Sequence, residues 1–320
     1  MTAVLPETVT VRPPAREDAE AVLALVSAYN TPIVGFADYT LDDAVDALTE
    51  PGFVPETDGW LVFDGETPVG YGWIFGKGDR HLLDTDLFTA DPAVETYLLG
   101  RITRRAGEIA REHGHSSVQL DAVVYRADET RGRRLSDDGF ARATTFHRMR
   151  VDHTSAVDSP ADAPVVPEGV TVRRGAPDEA SRRTAHALVT ACFQGQFGFT
   201  PRTFEEWHAA HENHSAFDWS QLTVLELDGQ PVALREANDQ YLEDENCGHI
   251  GRLCVLAEAR GRGLAKFLLR EQFALDAAAG RVGTVLHVDT NNPTPALGLY
   301  LGVGMRASLV LDVWRLEVAA

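Results

Sequence analysis

Residues 260 to 265 read Arg260-Gly261-Arg262-Gly263-Leu264-Ala265 and lie between an apolar strand pattern, residues 249–255, and an apolar helix pattern, residues 264–279. A turn that enters a helix leaves the first backbone N–H groups without intrahelical partners, and the helix dipole adds positive charge there. Such a turn accepts a pyrophosphate. Glycine at 261 and 263 lets the phosphate approach the backbone, where a side chain would hold it off. No Gly-Lys-Ser/Thr follows, so the turn is not a nucleoside-triphosphatase loop, and the third glycine of the dinucleotide fingerprint is missing. The turn by itself leaves open an ordinary strand-to-helix connection with surface arginines.

A second constellation follows the helix. A strand pattern over 282–288 leads into Asp289-Thr290-Asn291-Asn292, then a short helix pattern from Ala296 to Tyr300, then Gly304-Met305. Ala296 and Tyr300 are four apart and share one face of that helix. The two constellations, in this order and separated by a helix and a strand, resemble the GNAT acyltransferase superfamily. Its coenzyme A loop is matched by Arg260-x-x-Gly263-x-Ala265, and its later motif by Asn292 and Ala296-x-x-Leu299-Tyr300. The resemblance implies acetyl transfer from acetyl-CoA to an amine by direct attack, with no metal and no covalent enzyme intermediate. It implies that the backbone of Arg260 to Ala265 holds the pyrophosphate and that Asn292 lies on the cofactor side. The pantetheine arm would add as a strand to the backbone of Leu253, Cys254 and Val255. The Val255 N–H would face the thioester oxygen. Tyr300 would be the general acid for the departing thiolate.

The base is less determined. His249 opens the strand before the turn and, by simple alternation, shares a face with Gly251, Leu253 and Val255. An imidazole there is suited to take the amine proton. Glu236, Asp239 and the acidic run Glu243-Asp244-Glu245 are alternatives. The segment Phe193 to Phe217 is rich in aromatic residues and histidines and falls where this superfamily forms acceptor sites. His208 and His211 are three apart on a helix pattern, but no third ligand at a fixed spacing supports a metal.

The elements that must carry these residues recur twice. Val9-Thr10-Val11-Arg12 and Val170-Thr171-Val172-Arg173 each open a half and each precede a proline and a helix pattern. Each half then shows a hairpin with an acidic-Gly turn, at Asp64-Gly65 and Asp228-Gly229. Each closes on a strand pattern, Phe146 to Val151 and Leu309 to Val318. The pattern is an internal duplication: residues 1–151 as a degenerate first domain, 152–168 as a Pro/Ala/Ser/Asp-rich linker, and 169–320 as the catalytic domain. In the first half the phosphate turn is replaced by Thr89-Ala90-Asp91-Pro92, where Asp91 and Glu95 would repel a pyrophosphate, and the Tyr300 position has lost its tyrosine. The plan is similar to tandem GNAT enzymes of the mycothiol synthase kind. That implies two mixed α/β GNAT domains, and a monomer whose internal pair replaces the dimer contact of single-domain relatives.

Composition sets the outer limits. The 320 residues are 44% hydrophobic and 24% charged, as in globular proteins. No stretch is long and apolar enough for a bilayer, and no signal pattern opens the chain, which points to the cytoplasm. A net charge of −19 argues against nucleic acid and anionic membranes as partners. It suits a cationic small-molecule amine, or serves solubility alone. Cys192, Cys247 and Cys254 show no metal spacing. A non-catalytic acyl-CoA sensor is the rival function. The acceptor itself is open among an amino sugar conjugate, an aminoglycoside, a polyamine, an amino acid and a peptide terminus.

Overall fold

The computed structural model describes residues 5–6, 8–153, 164–292 and 294–320. The expected linker lies outside the described residues over 154–163. In chain order the strands are β1 (Val9–Arg12), β2 (Gly59–Asp64), β3 (Thr67–Gly76), β4 (Leu82–Phe88), β5 (Ser117–Tyr125), β6 (Ala141–Asp152), β7 (Val170–Arg174), β8 (Leu222–Leu227), β9 (Gln230–Asn238), β10 (Cys247–Val255), β11 (Gly283–Asp289) and β12 (Arg306–Ala319). The helices are α1 (Ala19–Val34), α2 (Leu41–Thr49), α3 (Pro55–Asp58), α4 (Pro92–Glu112), α5 (Glu129–Asp137), α6 (Glu179–Phe193), α7 (Phe204–Asn213), α8 (Leu242–Glu245), α9 (Leu264–Ala278) and α10 (Ala296–Gly302).

The chain divides into two compact units, Met1–Thr145 with Val310–Ala320, and Phe146–Leu309. In the first unit the strand order is β1-β2-β3-β4-β5-β12, antiparallel except for the β4–β5 pair. In the second it is β7-β8-β9-β10-β11-β6, antiparallel except for the β10–β11 pair. The duplication is thus visible in topology. The closing position of the first sheet is filled by the end of the chain, and that of the second by the strand expected to end the first half.

Local chemistry explains the elements. The two-residue loop between β8 and β9 puts Asp228 at φ 51° and Gly229 at φ 76°, the mirror-image turn whose twist matches a hairpin. Asp178 caps α6 by accepting from the Ser181 N–H at 2.8 Å, and Thr203 caps α7 by accepting from the Glu206 N–H at 3.2 Å. In the second unit α9 packs Phe267, Leu268, Leu269 and Phe273 on one sheet face, against Leu225, Ala233, Ile250 and Leu286. On the other face Ala185, Leu188 and Val189 of α6 and Trp207 of α7 meet Leu222, Val224, Leu234 and Cys254. The first unit repeats this with α4 on one face and α1 and α2 on the other.

Candidate active site

β10 pairs with β9 along its length, to Val255 opposite Ala233. With β11 it pairs only from Cys247 to Ile250. Beyond Ile250 the strands part, and the β11-facing edge of β10 is open. The Leu256 N–H donates to the Val232 carbonyl at 2.9 Å, so residue 256 turns its backbone to β9. Strand alternation then turns Leu253 and Val255 to the open edge and Cys254 to β9. This corrects the expected trio: Leu253 and Val255 present their N–H groups to the gap, and Cys254 does not.

The turn follows at once. Gly261 and Gly263 sit at φ +79° and +77°, and a Cβ at either would meet nothing within 4 Å. Both need glycine for backbone conformation. The first bond of α9 runs from the Phe267 N–H to the Gly263 carbonyl at 2.9 Å, and no side chain caps the helix. The N–H groups of Leu264, Ala265 and Lys266 are therefore left for an anion. Arg260 and Arg262 are exposed, and Arg260 Nε donates to the Val255 carbonyl at 3.2 Å, tying the turn to the strand end. In the first unit the matching corner is already filled. Asp91 caps α4, its carboxylate accepting from the Ala93 N–H at 2.7 Å, and Pro92 removes a donor.

Tyr300 lies in α10 and is buried among Ile250, Leu286, Val288 and Met305, with Leu253 against the same cluster. Those neighbours place it on the α9 side of the gap. Its hydroxyl makes no hydrogen bond among the described residues, and burial pushes the phenol up to about 12. The Met305 N–H donates to the Tyr300 carbonyl, as the Phe140 N–H donates to that of Leu135 in the first unit. Leu135 is thus the residue that stands in the tyrosine's place. Asn292 uses its Oδ1 locally, accepting from the Thr294 N–H at 2.9 Å and hydroxyl at 2.7 Å. That turn sets the approach to α10.

His249 is not where simple alternation puts it. A bulge between Ile250 and Arg252 lets Arg252 oppose Glu236 while His249 opposes Asn238. Glu236 and Asn238 share a face, so His249 lies with Arg252 and Cys254, on the α6–α7 side, and not with Leu253 and Val255. Its orientation is determined. The Gln240 N–H donates to Asn238 Oδ1 at 3.2 Å, and His249 Nδ1 lies 2.9 Å from that same oxygen. Nδ1 therefore carries the proton, and Nε2 keeps its lone pair. Burial, with the electrostatic influence of His287, Arg148 and His214, holds the ring well below its usual pKa, so it is neutral.

Three of the alternatives to His249, Asp239, Glu245 and Glu236, are committed to ion pairs. Asp239 binds Arg281 at 2.6 Å, and Glu245 binds Arg148 and Arg150. Glu236 is buried, with Arg252 on Oε1 and His211 Nε2 3.2 Å from Oε2. Burial alone would raise it, but Arg252 and His211 overcome that and bring it down to about 2. Sequence reasoning missed Asn238 as the residue that aims His249 and Arg252 as the partner of Glu236; only the bulge reveals either. The aromatic segment is mostly core. Trp207, Phe193, Phe199 and Phe204 pack with α6 and β9. His208 Nε2 accepts from Arg182 at 2.8 Å and His211 Nδ1 donates to the Trp207 carbonyl at 2.7 Å, so the two rings spend these nitrogens on protein partners. Among the described residues no helix is long and apolar enough to cross a membrane.

Residues 184–305 match the model of the acetyltransferase (GNAT) family. A mycothiol acetyltransferase of Streptomyces griseus subsp. griseus is 28% identical over 218 residues, 65% of this chain and 68% of that protein. The structure of a GCN5-related N-acetyltransferase from Sphaerobacter thermophilus is similar at a TM-score of 0.78 and 22% identity, covering 99% of this chain and 98% of that one. A tandem GNAT protein from the clavulanic acid biosynthesis pathway is similar at a TM-score of 0.73 and 16% identity, covering 98% and 99%. The likeness to these two structures is one of fold.

Proposed function

We propose that the second unit, in which residues 184–305 match the acetyltransferase (GNAT) family, moves an acetyl group from acetyl-CoA to a primary amine of a small molecule. The observation that carries this is the parting of β10 from β11 at Ile250, directly before an uncapped amide turn. The two features fit the two ends of coenzyme A: an open strand edge for the amide-bearing arm and orphan N–H groups for the pyrophosphate. Bound there, acetyl-CoA supplies the thioester.

The residues of this chain do the rest. The N–H groups of the turn from Arg260 to Ala265 hold the pyrophosphate. Leu253 and Val255 orient the arm, and the Val255 N–H faces the carbonyl oxygen, where charge develops. His249 Nε2 takes the amine proton. Its depressed pKa makes it a weak base that is always ready, so the amine must itself be largely deprotonated. The Tyr300 hydroxyl gives its proton to the departing sulfur. The net charge of −19 favours cationic acceptors.

Thiol release with acetyl-CoA and a panel of primary amines, alongside calorimetric titration of the coenzyme, tests the reading. Turnover with at least one amine is expected. Coenzyme binding without turnover on any amine would favour a sensor, and no binding at all would overturn the site.

A further inference from the structure

Cys192, in the last turn of α6, packs half-buried against the apolar cluster that contains the buried Cys254 of β10. Cys254 Sγ lies 3.9 Å from the Leu188 carbonyl, one turn back on α6, so it sits against the end of that helix. The two thiols therefore meet where the end of α6 lies on β10, and they differ in exposure, Cys192 half-buried and Cys254 buried. Cys254 and the nearby Arg260 hold the Cys192 thiol below its usual range despite burial. Cys192 and burial hold Cys254 above its own. One is a partly accessible sulfur; the other is a buried sulfur behind it. That is the arrangement of an attacking and a resolving thiol. Cys247, at the far end of β10, is buried and pushed up to about 11 by burial.

We propose that Cys192 and Cys254 are an oxidation site at which peroxide forms a disulfide between α6 and the strand edge that borders the turn. The Cys192 thiolate attacks one oxygen of hydrogen peroxide, the O–O bond breaks, and the departing hydroxide takes a proton to leave as water. Cys192 is then a sulfenic acid. The Cys254 sulfur loses its proton and attacks the Cys192 sulfur, and the hydroxyl leaves with that proton as a second water. Two thiols lose two electrons and one peroxide gains them. The disulfide draws the sulfurs to about 2 Å and pulls residue 254, which lies between the two residues that open onto the gap. Only the consequence for coenzyme binding rests on the acyl-transfer reading; the disulfide itself does not.

The test treats the full chain with limiting hydrogen peroxide and follows intact mass and free-thiol count. The expected result is a loss of about 2 Da and two thiols, a peptide linking residues 192 and 254, and full reversal by dithiothreitol. Cys192→Ser and Cys254→Ala should each abolish the link, and in Cys254→Ala the Cys192 sulfur should go on to sulfinic acid. Cys247→Ala should leave the link intact. Three free thiols retained in the wild type, a link through Cys247, or sulfinic acid at Cys192 in the wild type would each overturn the site. Coenzyme A affinity should fall at least tenfold in the oxidised chain. Equal affinity before and after oxidation would overturn the consequence. No affinity in the reduced chain would defeat the acyl-transfer reading and leave the disulfide standing.

Discussion

Replacing Tyr300 with phenylalanine separates chemistry from packing. The ring is buried against Ile250, Leu286, Val288 and Met305, and phenylalanine keeps all of that surface. The hydroxyl makes no hydrogen bond among the described residues, so its removal forfeits no internal bond. Stability should therefore stay within about 1 kcal/mol of the wild type, since only a buried group with a lost partner is costly to alter. General-acid catalysis contributes about 10²–10⁴ in rate. At about 1.4 kcal/mol per factor of ten, Tyr300→Phe should raise the barrier by about 3–5 kcal/mol. The prediction is a kcat lowered by about a hundredfold or more, with KM for acetyl-CoA within about threefold of the wild type. The buried phenol, pushed up to about 12, stays protonated throughout the usable range, so it should produce no descending limb between pH 7 and 10. Initial rates of thiol release at saturating amine, taken across that range and paired with thermal unfolding, measure each quantity. A kcat within threefold of the wild type would refute the acid role. A raised KM with unchanged kcat would make Tyr300 only a wall of the coenzyme site.

Three further predictions follow from single contacts. His249 is buried and neutral, with its folded pKa below the unfolded 6.5, so the unfolded chain takes up the proton first and stability is lost as pH falls below about 6.5. His249→Gln should flatten urea-midpoint stability between pH 6.5 and 4.5 by up to about 1.4 kcal/mol per unit. His153, also depressed by burial, would keep part of the slope; an unchanged slope would show that His249 is not held neutral. Asp91→Ala should cost the first unit about 1 kcal/mol of helix cap, with a calorimetric stoichiometry of one coenzyme per chain before and after; two sites would contradict the filled corner at α4. Arg235→Ala removes one of the two arginine partners of the buried Glu271, at 2.8 Å on Oε2, and leaves Arg174 on Oε1, so it should destabilise by about 1–3 kcal/mol, a loss that chemical denaturation would register.

What could be read ahead of the structure was local. The glycines at 261 and 263, the Asp228-Gly229 turn and the spacing from Ala296 to Tyr300 act within a few residues, and each takes the local backbone form expected of it. Asp91 was legible as hostile to a phosphate, though it acts by capping its own helix, and Glu95 is paired with Arg134. The closing strands were legible as strands but not in their placement. Residues 146–151 and 309–318 both read as closing strands, and nothing within either says which sheet it joins.

The bulge at Gly251 is the other nonlocal feature, and the chemistry proposed for the site depends on it. An unbroken β10 would put His249 on the face of Leu253 and Val255, the side packed by α9 and bordered by Tyr300. The extra residue sends His249 to the α6–α7 face instead, while Tyr300 stays on the α9 face. The proposed base and the proposed acid then stand on opposite sides of the sheet, beside the place where β10 and β11 part. Direct transfer asks for that separation, because the amine must approach one side of a planar thioester while the sulfur leaves from another. Were both groups on one face, the tyrosine that protonates the sulfur would compete for the ground where the amine must stand. On this reading the parting of the strands is the opening through which an acyl group can be reached from both faces at once.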